Sequence, residues 1–450
     1  METRRRTGRL LALTLAATLQ GAVASAQTPL PPQPRACPAA LPAATRCFTG
    51  EDGAGALYWI AVPANWNKVL VLHAHGGPEL GPPRLQRSEE DLVRWAVTVK
   101  AGYAWAGSTY RRGGYGVTMA AEDTERLRRI FVQHLEAPRR TLLHGQSYGG
   151  GVAAKAAELF GPAEGRPSAY DGVLLTSGVL GGGGRAYDFR LDLRVVYQYV
   201  CRNHPKADEP AYPLWLGLPP DSQLTRQELA ARVDECTGLR RPAAERSAQQ
   251  KANLAVILNT VKIPERSLMG HLNWATWLFQ DLVQLRLGGR NPFGNAGAVY
   301  SSGGAGDDAA LNAGVLRYAA DPQAVAELAR DSQPTGRIGL PVLTLHAIDD
   351  PTAFVELESL YREQLERAGT ADRWLVQTFS AEAEHSYLGD AHYPTLFAAL
   401  LQWIERGERP TPQSIAAACR GFEAAFGANC RFRPDYRPPP LEARVAPRPR

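Results

Sequence analysis

The sequence predicts an α/β protein: a mainly parallel central sheet flanked by helices, with a mostly helical cap inserted after the strand at 172–176. Three observations carry this. Apolar runs rich in Val and Leu recur at 68–74 (KVLVLHA), 172–176 (GVLLT) and 341–347 (PVLTLHA), as expected of strands buried on both faces. Helical patterns separate the strands, which demands crossover connections and hence parallel pairing. Between 178 and 339 the alternation stops, and only helix and loop patterns remain.

Taken in order, residues 1–26 have the form of an export signal. Arg4, Arg5, Arg6 and Arg9 precede the apolar run 10–19, and Ala24-Ser25-Ala26 offers small residues for cleavage before Gln27. The run is short for a membrane span, and no later stretch of about 18 apolar residues follows, so no membrane association is expected after cleavage. A Pro-rich leader occupies 27–54. The first part of the core, 55–177, holds a half-buried strand at 57–62, the buried strand 68–74, a helix at 89–100 ended by Gly102, and a strand at 103–108. It continues with a helix at 121–135, a strand at 140–144, a helix of small residues at 151–159 and the strand 172–176. The cap, 178–339, includes the Gly-rich 181–184, a helix at 225–235 and a long pattern at 256–285 carrying Trp274 and Trp277. At i, i+3 spacing these two indoles suit either a wall facing substrate or the cap's own core. The core resumes over 340–408 with a strand at 341–347, a helix at 353–368, a strand at 374–379 and a helix at 393–406. A C-terminal extension, 409–450, is expected to lack fixed structure from about 431, where Pro and Arg dominate.

The net charge of +5 misrepresents the folded part. Residues 1–26 contribute +3 and residues 431–450 contribute +4, leaving 27–430 at −2. The basic charge belongs to the ends, and nucleic acid is excluded as a partner. Six cysteines in an exported chain imply disulfides and a secreted or periplasmic location. Fifteen pairings are possible. The cysteines fall in neighbouring pairs along the chain, 37/47, 201/236 and 419/430, and neighbour pairing is expected. No C-x-x-C pair is present, which argues against zinc.

The sharpest motif is Gly145-Gln146-Ser147-Tyr148-Gly149, a G-x-S-x-G between an apolar strand and a helix of small residues. Such a turn holds its serine in a strained conformation, and glycine two residues to either side leaves room for it. A serine hydroxyl needs a base to take its proton and an acid to orient the base. Both should lie at the carboxyl ends of later strands. The strand 341–347 runs into Asp349-Asp350-Pro351, and the strand 374–379 into Glu384-His385, with 35 residues from Asp350 to His385.

On these motifs, segments 55–177 and 339–408 resemble the α/β-hydrolase superfamily. The resemblance implies Ser147 as nucleophile, Asp350 (the Asp before Pro351) as acid and His385 as base. Ala347 and Glu384 stand where the family usually has Gly. His75-Gly76-Gly77-Pro78 resembles the segment that offers an oxyanion-binding N–H in lipases, esterases and prolyl-type peptidases. Gly76 or Gly77 would supply that donor and Tyr148, the residue after the serine, the second.

Other residues offer alternative arrangements. His73 and His75 share a strand face and could bind a metal with Glu79, but H-x-H-G-G already has a role. His392 competes with His385 as base, seven residues further on. His144 and His346 suit structural positions at strand ends. The expected function is hydrolysis of a small-molecule or oligomeric carboxylic ester with no metal or organic cofactor. A prolyl-type serine peptidase is the alternative, and a non-catalytic binding module is the third.

Overall fold

The computed structural model describes residues 30–163 and 167–448, so the expected export signal lies outside the described residues. Among them, nine strands form one sheet: β1 Gln33–Arg35, β2 Arg46–Glu51, β3 Leu57–Val62, β4 Val69–Ala74, β5 Ala104–Ser108, β6 Arg140–Gln146, β7 Gly172–Thr176, β8 Val342–Ala347 and β9 Leu375–Ser380. Their order is β1-β2-β3-β5-β4-β6-β7-β8-β9. The pairs β1/β2, β2/β3 and β3/β5 are antiparallel and the other five are parallel. From β2 onward, this order with one reversed strand is the α/β-hydrolase arrangement.

The central strands form because both of their faces are buried. Along β4, Leu70, Leu72 and Ala74 enter one core and Val69 and Val71 the other; Leu143 and Leu142 of β6 divide likewise. The first core lies under the helices Val117–His134 and Tyr148–Phe160 and extends into the block between β7 and β8. The second is covered by the helices His392–Arg406 and Pro412–Phe426. Small residues let Tyr148–Phe160 press onto the sheet: a Cβ on Gly149 would lie 1.9 Å from the Ala74 carbonyl oxygen.

Between β7 and β8 the described residues are helix or loop, with Cys201–Cys236 joining the helices Asp188–Cys201 and Arg226–Thr237. Cys37–Cys47 and Cys419–Cys430 complete the neighbour pairing, and no cysteine is free. Each short loop closed in this way contributes ~2–4 kcal/mol. No helix among the described residues is long and apolar enough to cross a membrane.

Two expectations are corrected. The stretch 27–54 is more than a Pro-rich leader, because β1 and β2 lie within it and extend the sheet edge. A three-residue strand containing Pro34 and a strand beginning and ending in charge carry too little apolar alternation to be read from sequence. The tail after 431 is ordered through residue 448. Arg433 N–H donates to Phe379 O at 2.7 Å, Ala381 N–H donates to Arg431 O at 2.9 Å, and Phe432 bridges to Ser380 beside β9. Arg448, on the far side, pairs with the buried Asp192 at 2.7 Å. Arginines that look like solvated charge in sequence are here spent on buried carboxylates and carbonyls.

Candidate active site

Strand β6 ends at Gln146 and the helix Tyr148–Phe160 begins two residues later, which leaves Ser147 alone in the turn with φ 57° and ψ −123°. A side chain larger than hydrogen at either flanking glycine would block this turn. A Cβ at Gly145 would meet Gly149 O at 2.2 Å, and the Gly149 site abuts Ala74. The strained residue is held from both sides: its N–H donates to Thr176 O at 3.0 Å, and its carbonyl accepts from Gly150 and Val179, each at 2.9 Å.

Three loops deliver the other groups. His385 Nε2 lies 2.8 Å from Ser147 Oγ. His385 Nδ1 lies 2.8 and 3.0 Å from the two oxygens of Asp350. Because a carboxylate only accepts, Nδ1 carries the proton and Nε2 is free to take one from the serine. The Asp350 side chain is fully buried and that of His385 is 21% exposed, so the imidazole meets solvent while the acid does not. Burial alone pushes the Asp350 carboxyl up; His385, His346 and the Thr352 N–H outweigh it and hold it below the usual carboxylate range. Oδ1 also accepts from Thr352 and Ala353 N–H at 2.8 and 3.0 Å. Asp349, the other candidate acid, donates its N–H to Glu382 O at 3.3 Å, and no bond joins it to His385.

The β4 turn closes against the serine. A Cβ on Gly76 would stand 2.3 Å from Gln146 Oε1 and 3.1 Å from Ser147 Cβ, so glycine is required for this approach. Gly77 follows at φ 70°. The Gly76 carbonyl accepts from Arg87 Nη2 at 3.1 Å and from His75 Nδ1 at 3.0 Å. Arg87 also bonds Asp91 at 2.8 Å, which ties the turn to the helix Leu85–Arg94. Among the described residues, the backbone N–H groups of Gly76, Gly77 and Tyr148 have no acceptor. The Tyr148 hydroxyl accepts the Gly116 N–H at 3.0 Å.

The remaining candidates are accounted for elsewhere. His73 Nδ1 meets His144 Nδ1 at 3.0 Å, and His144 Nε2 reaches Thr176 Oγ1 at 3.1 Å. Burial keeps both rings well below the usual histidine range. His75 is pushed down to about 4, by burial and then Arg87, and faces the Thr109 carbonyl with Nε2. Glu79 pairs with Arg84 and Arg87. No group of three His, Cys, Asp or Glu among the described residues is arranged to hold a metal ion. His392 is buried, and its Nε2 accepts the Arg431 N–H at 3.0 Å. His346 is held by Glu358 and the Ala353 carbonyl.

A cavity of about 470 Å³ opens beside His385, lined in part by Pro351, Thr352, Arg190, Arg266, His271 and Trp274. Trp274 thus faces the cavity. Trp277, which does not line it, packs against the core under Arg226. His271 Nε2 donates to Pro351 O at 2.9 Å and fixes the loop after Asp350; burial, then Arg190, pushes this imidazole down to about 3. Arg87, Arg190 and His271 carry no motif in the sequence, because each acts on the site across a tertiary contact rather than within a local pattern.

No family model matches the sequence, and no curated protein does. Among solved structures the chain is similar to feruloyl esterase B from Aspergillus oryzae at 14% identity and TM-score 0.42, over 85% of this chain and 86% of that one. It is similar to tannin acyl hydrolase from Aspergillus niger at 13% identity and TM-score 0.43, over 85% and 83%. Candida antarctica lipase A gives 12% identity and TM-score 0.43, over 90% of each chain.

Proposed function

We propose that this protein is an exported serine hydrolase that cleaves carboxylic esters through an acyl-enzyme. One observation carries the reading: an unbroken hydrogen-bonded line from Ser147 Oγ through His385 to a buried Asp350, set on a turn whose glycines cannot be replaced without collision. Ser147 Oγ attacks the ester carbonyl carbon as its proton passes to His385 Nε2, and Asp350 stabilises the resulting imidazolium. The carbonyl electron pair moves to oxygen, where the Tyr148 N–H and a β4-turn N–H receive the negative charge. We assign that second donor to Gly77. Arg87 holds the Gly76 carbonyl, and across a planar trans peptide the next N–H points the opposite way. Collapse expels the alcohol, which leaves with the proton from His385. Water then attacks the acyl group, gives its proton to His385, and releases the acid as Ser147 regains its hydrogen. Atoms and electrons balance with water as the only co-reactant.

Cleavage of an amide by an aminopeptidase would need acids near the serine to hold a free amine. The inserted block has two adjacent acid pairs, Asp208-Glu209 and Asp234-Glu235, and one member of each is engaged elsewhere: Glu209 pairs with Arg232, and Asp234 accepts the Arg240 N–H. Two arginines line the cavity beside His385, which disfavours an ammonium group. The test uses the mature chain from Gln27. Short-chain and aromatic p-nitrophenyl esters should be hydrolysed, and the matching anilides at least ~100-fold more slowly, about 2.7 kcal/mol of barrier. Release of p-nitroaniline from Pro- or Ala-p-nitroanilide at the esters' kcat/KM would replace this reading with the peptidase.

A further inference from the structure

Arg190 lies in the first turn of the helix Asp188–Cys201 and is 2% exposed. Its Nε and Nη1 are enclosed without a hydrogen-bond partner, and no carboxylate pairs with it among the described residues. Other enclosed or half-buried arginines have hydrogen-bonding partners, although Arg194, like Arg190, has no carboxylate. Arg448 pairs with Asp192, Arg246 with Glu265, and Arg194 donates to Thr276, Tyr212 and the Gly217 carbonyl. A buried charge with no counter-charge is costly and persists where something repays it.

Part of the compensation is aromatic. The guanidinium carbon stands 4.5 Å from the ring centres of Tyr187 and Trp274 and 4.8 Å from that of Phe189. Rings satisfy the flat faces of a guanidinium, whereas its N–H donors point outward in the plane and need acceptors. Burial pushes the group down to about 10, so it remains charged at neutral pH. Arg190 also lines the cavity that His385, Thr352 and Trp274 line. A cation without a carboxylate partner therefore lines the cavity that opens beside His385.

We propose that this cavity takes esters bearing a free carboxylate, which is held by the Arg190 guanidinium, a charge that no carboxylate of the described chain compensates, where it lines the cavity. The proposal rests on the ester-hydrolase reading and names its substrate class. A carboxylate is the natural counter-ion of a guanidinium, and Trp274, which lines the cavity, would lie along the chain or ring that carries it. Arg266 at the same cavity adds positive charge, and Glu384 is the one acid among its lining residues.

Two pairs of esters test this and locate the charge. Monoethyl adipate against diethyl adipate places the carboxylate on the acyl side; 6-acetoxyhexanoate against its ethyl ester places it on the alcohol side. Wild-type enzyme should prefer the charged member of at least one pair by ~100-fold in kcat/KM, about 2.7 kcal/mol. Arg190→Gln should abolish the preference and Arg190→Lys should keep part of it, each read as the ratio of charged-ester to neutral-ester kcat/KM, with folding checked by circular dichroism. Adipate should compete with a neutral ester on wild-type enzyme, a readout that survives if the variants fail to fold. No preference in either pair together with no competition, or an equal loss on charged and neutral esters in folded Arg190→Gln, would overturn the proposal. If no ester were turned over at all, the hydrolase reading would fall instead. Calorimetric binding of adipate to Ser147→Ala, lost on adding Arg190→Gln, would then decide the role of Arg190 alone.

Discussion

Asp350, at the end of β8, and Asp188, opening the first long helix of the inserted block, are both buried aspartates, and their surroundings move them in opposite directions. Burial pushes both carboxyls up. At Asp350 an imidazole and backbone N–H groups more than reverse it, and the group is held below the usual range. At Asp188 no N–H or O–H among the described residues donates to the carboxylate. Arg448 lowers it only partly, Asp192 raises it again, and it reaches about 7. The difference teaches that the fold buries charge in two ways. Where strands end, loops bring hydrogen bonds to meet the charge; in the inserted block, charges on one helix (Asp188, Arg190, Asp192) wait for a partner from the distant tail or from outside the chain.

The largest effect should come from breaking the satisfied side. Asp350→Asn should lower kcat by ~10⁴ with folding intact, because His385 loses both its orienting charge and its tautomer. Asp349→Asn, which touches no group of the line, should be far milder. Steady-state kinetics on one ester compares them directly, and the reverse ranking would move the acid one position earlier.

The inserted block offers the next test. Arg448→Met would leave Asp192 buried with Tyr300, at 2.5 Å, as its one hydrogen-bonding partner among the described residues. Breaking a buried pair from one side costs ~3–5 kcal/mol, so urea unfolding should show a loss of that size. An unchanged midpoint would mean that the tail does not compensate the helix.

The smallest effect is one of pH. The unfolded Asp188 carboxyl titrates near 3.8 and the folded one near 7. Between those values the folded chain holds a proton that the unfolded chain has released, so this group's contribution to stability falls as pH rises through the window. Asp188→Asn cannot ionise and should gain on wild type from pH 4 to 8, on the order of 2 kcal/mol once local relaxation relieves part of the burial. Parallel melting curves across that range would contradict it.

The same contrast explains what the sequence made legible. Buried strands announce themselves as apolar runs, and the turn around Ser147 is a local pattern whose glycines have a steric cause, so β4, β6, β7, β8 and β9 and the Ser147–His385–Asp350 set could be read in advance. Asp350 was distinguished from Asp349 by its place before Pro351. The edge strands β1 and β2 are not legible, because pairing of β2 with β3 and of β1 with β2, rather than their own apolar content, makes them strands. The order of the tail is not legible in the sequence, because an arginine such as Arg448 looks solvated until the carboxylate it reaches, over 250 residues away, is known. Arg190 was invisible for the same reason: its meaning lies in partners it lacks.

The proposed chemistry depends most directly on Ser147 as the nucleophile. A fluorophosphonate probe mixed with the mature enzyme, followed by intact-mass and peptide mapping, should give one adduct, on the peptide containing Ser147. Labelling should vanish in Ser147→Ala and slow steeply in His385→Ala. An unmodified Ser147 in folded, active enzyme, or an equal adduct elsewhere that persists in Ser147→Ala, would contradict it.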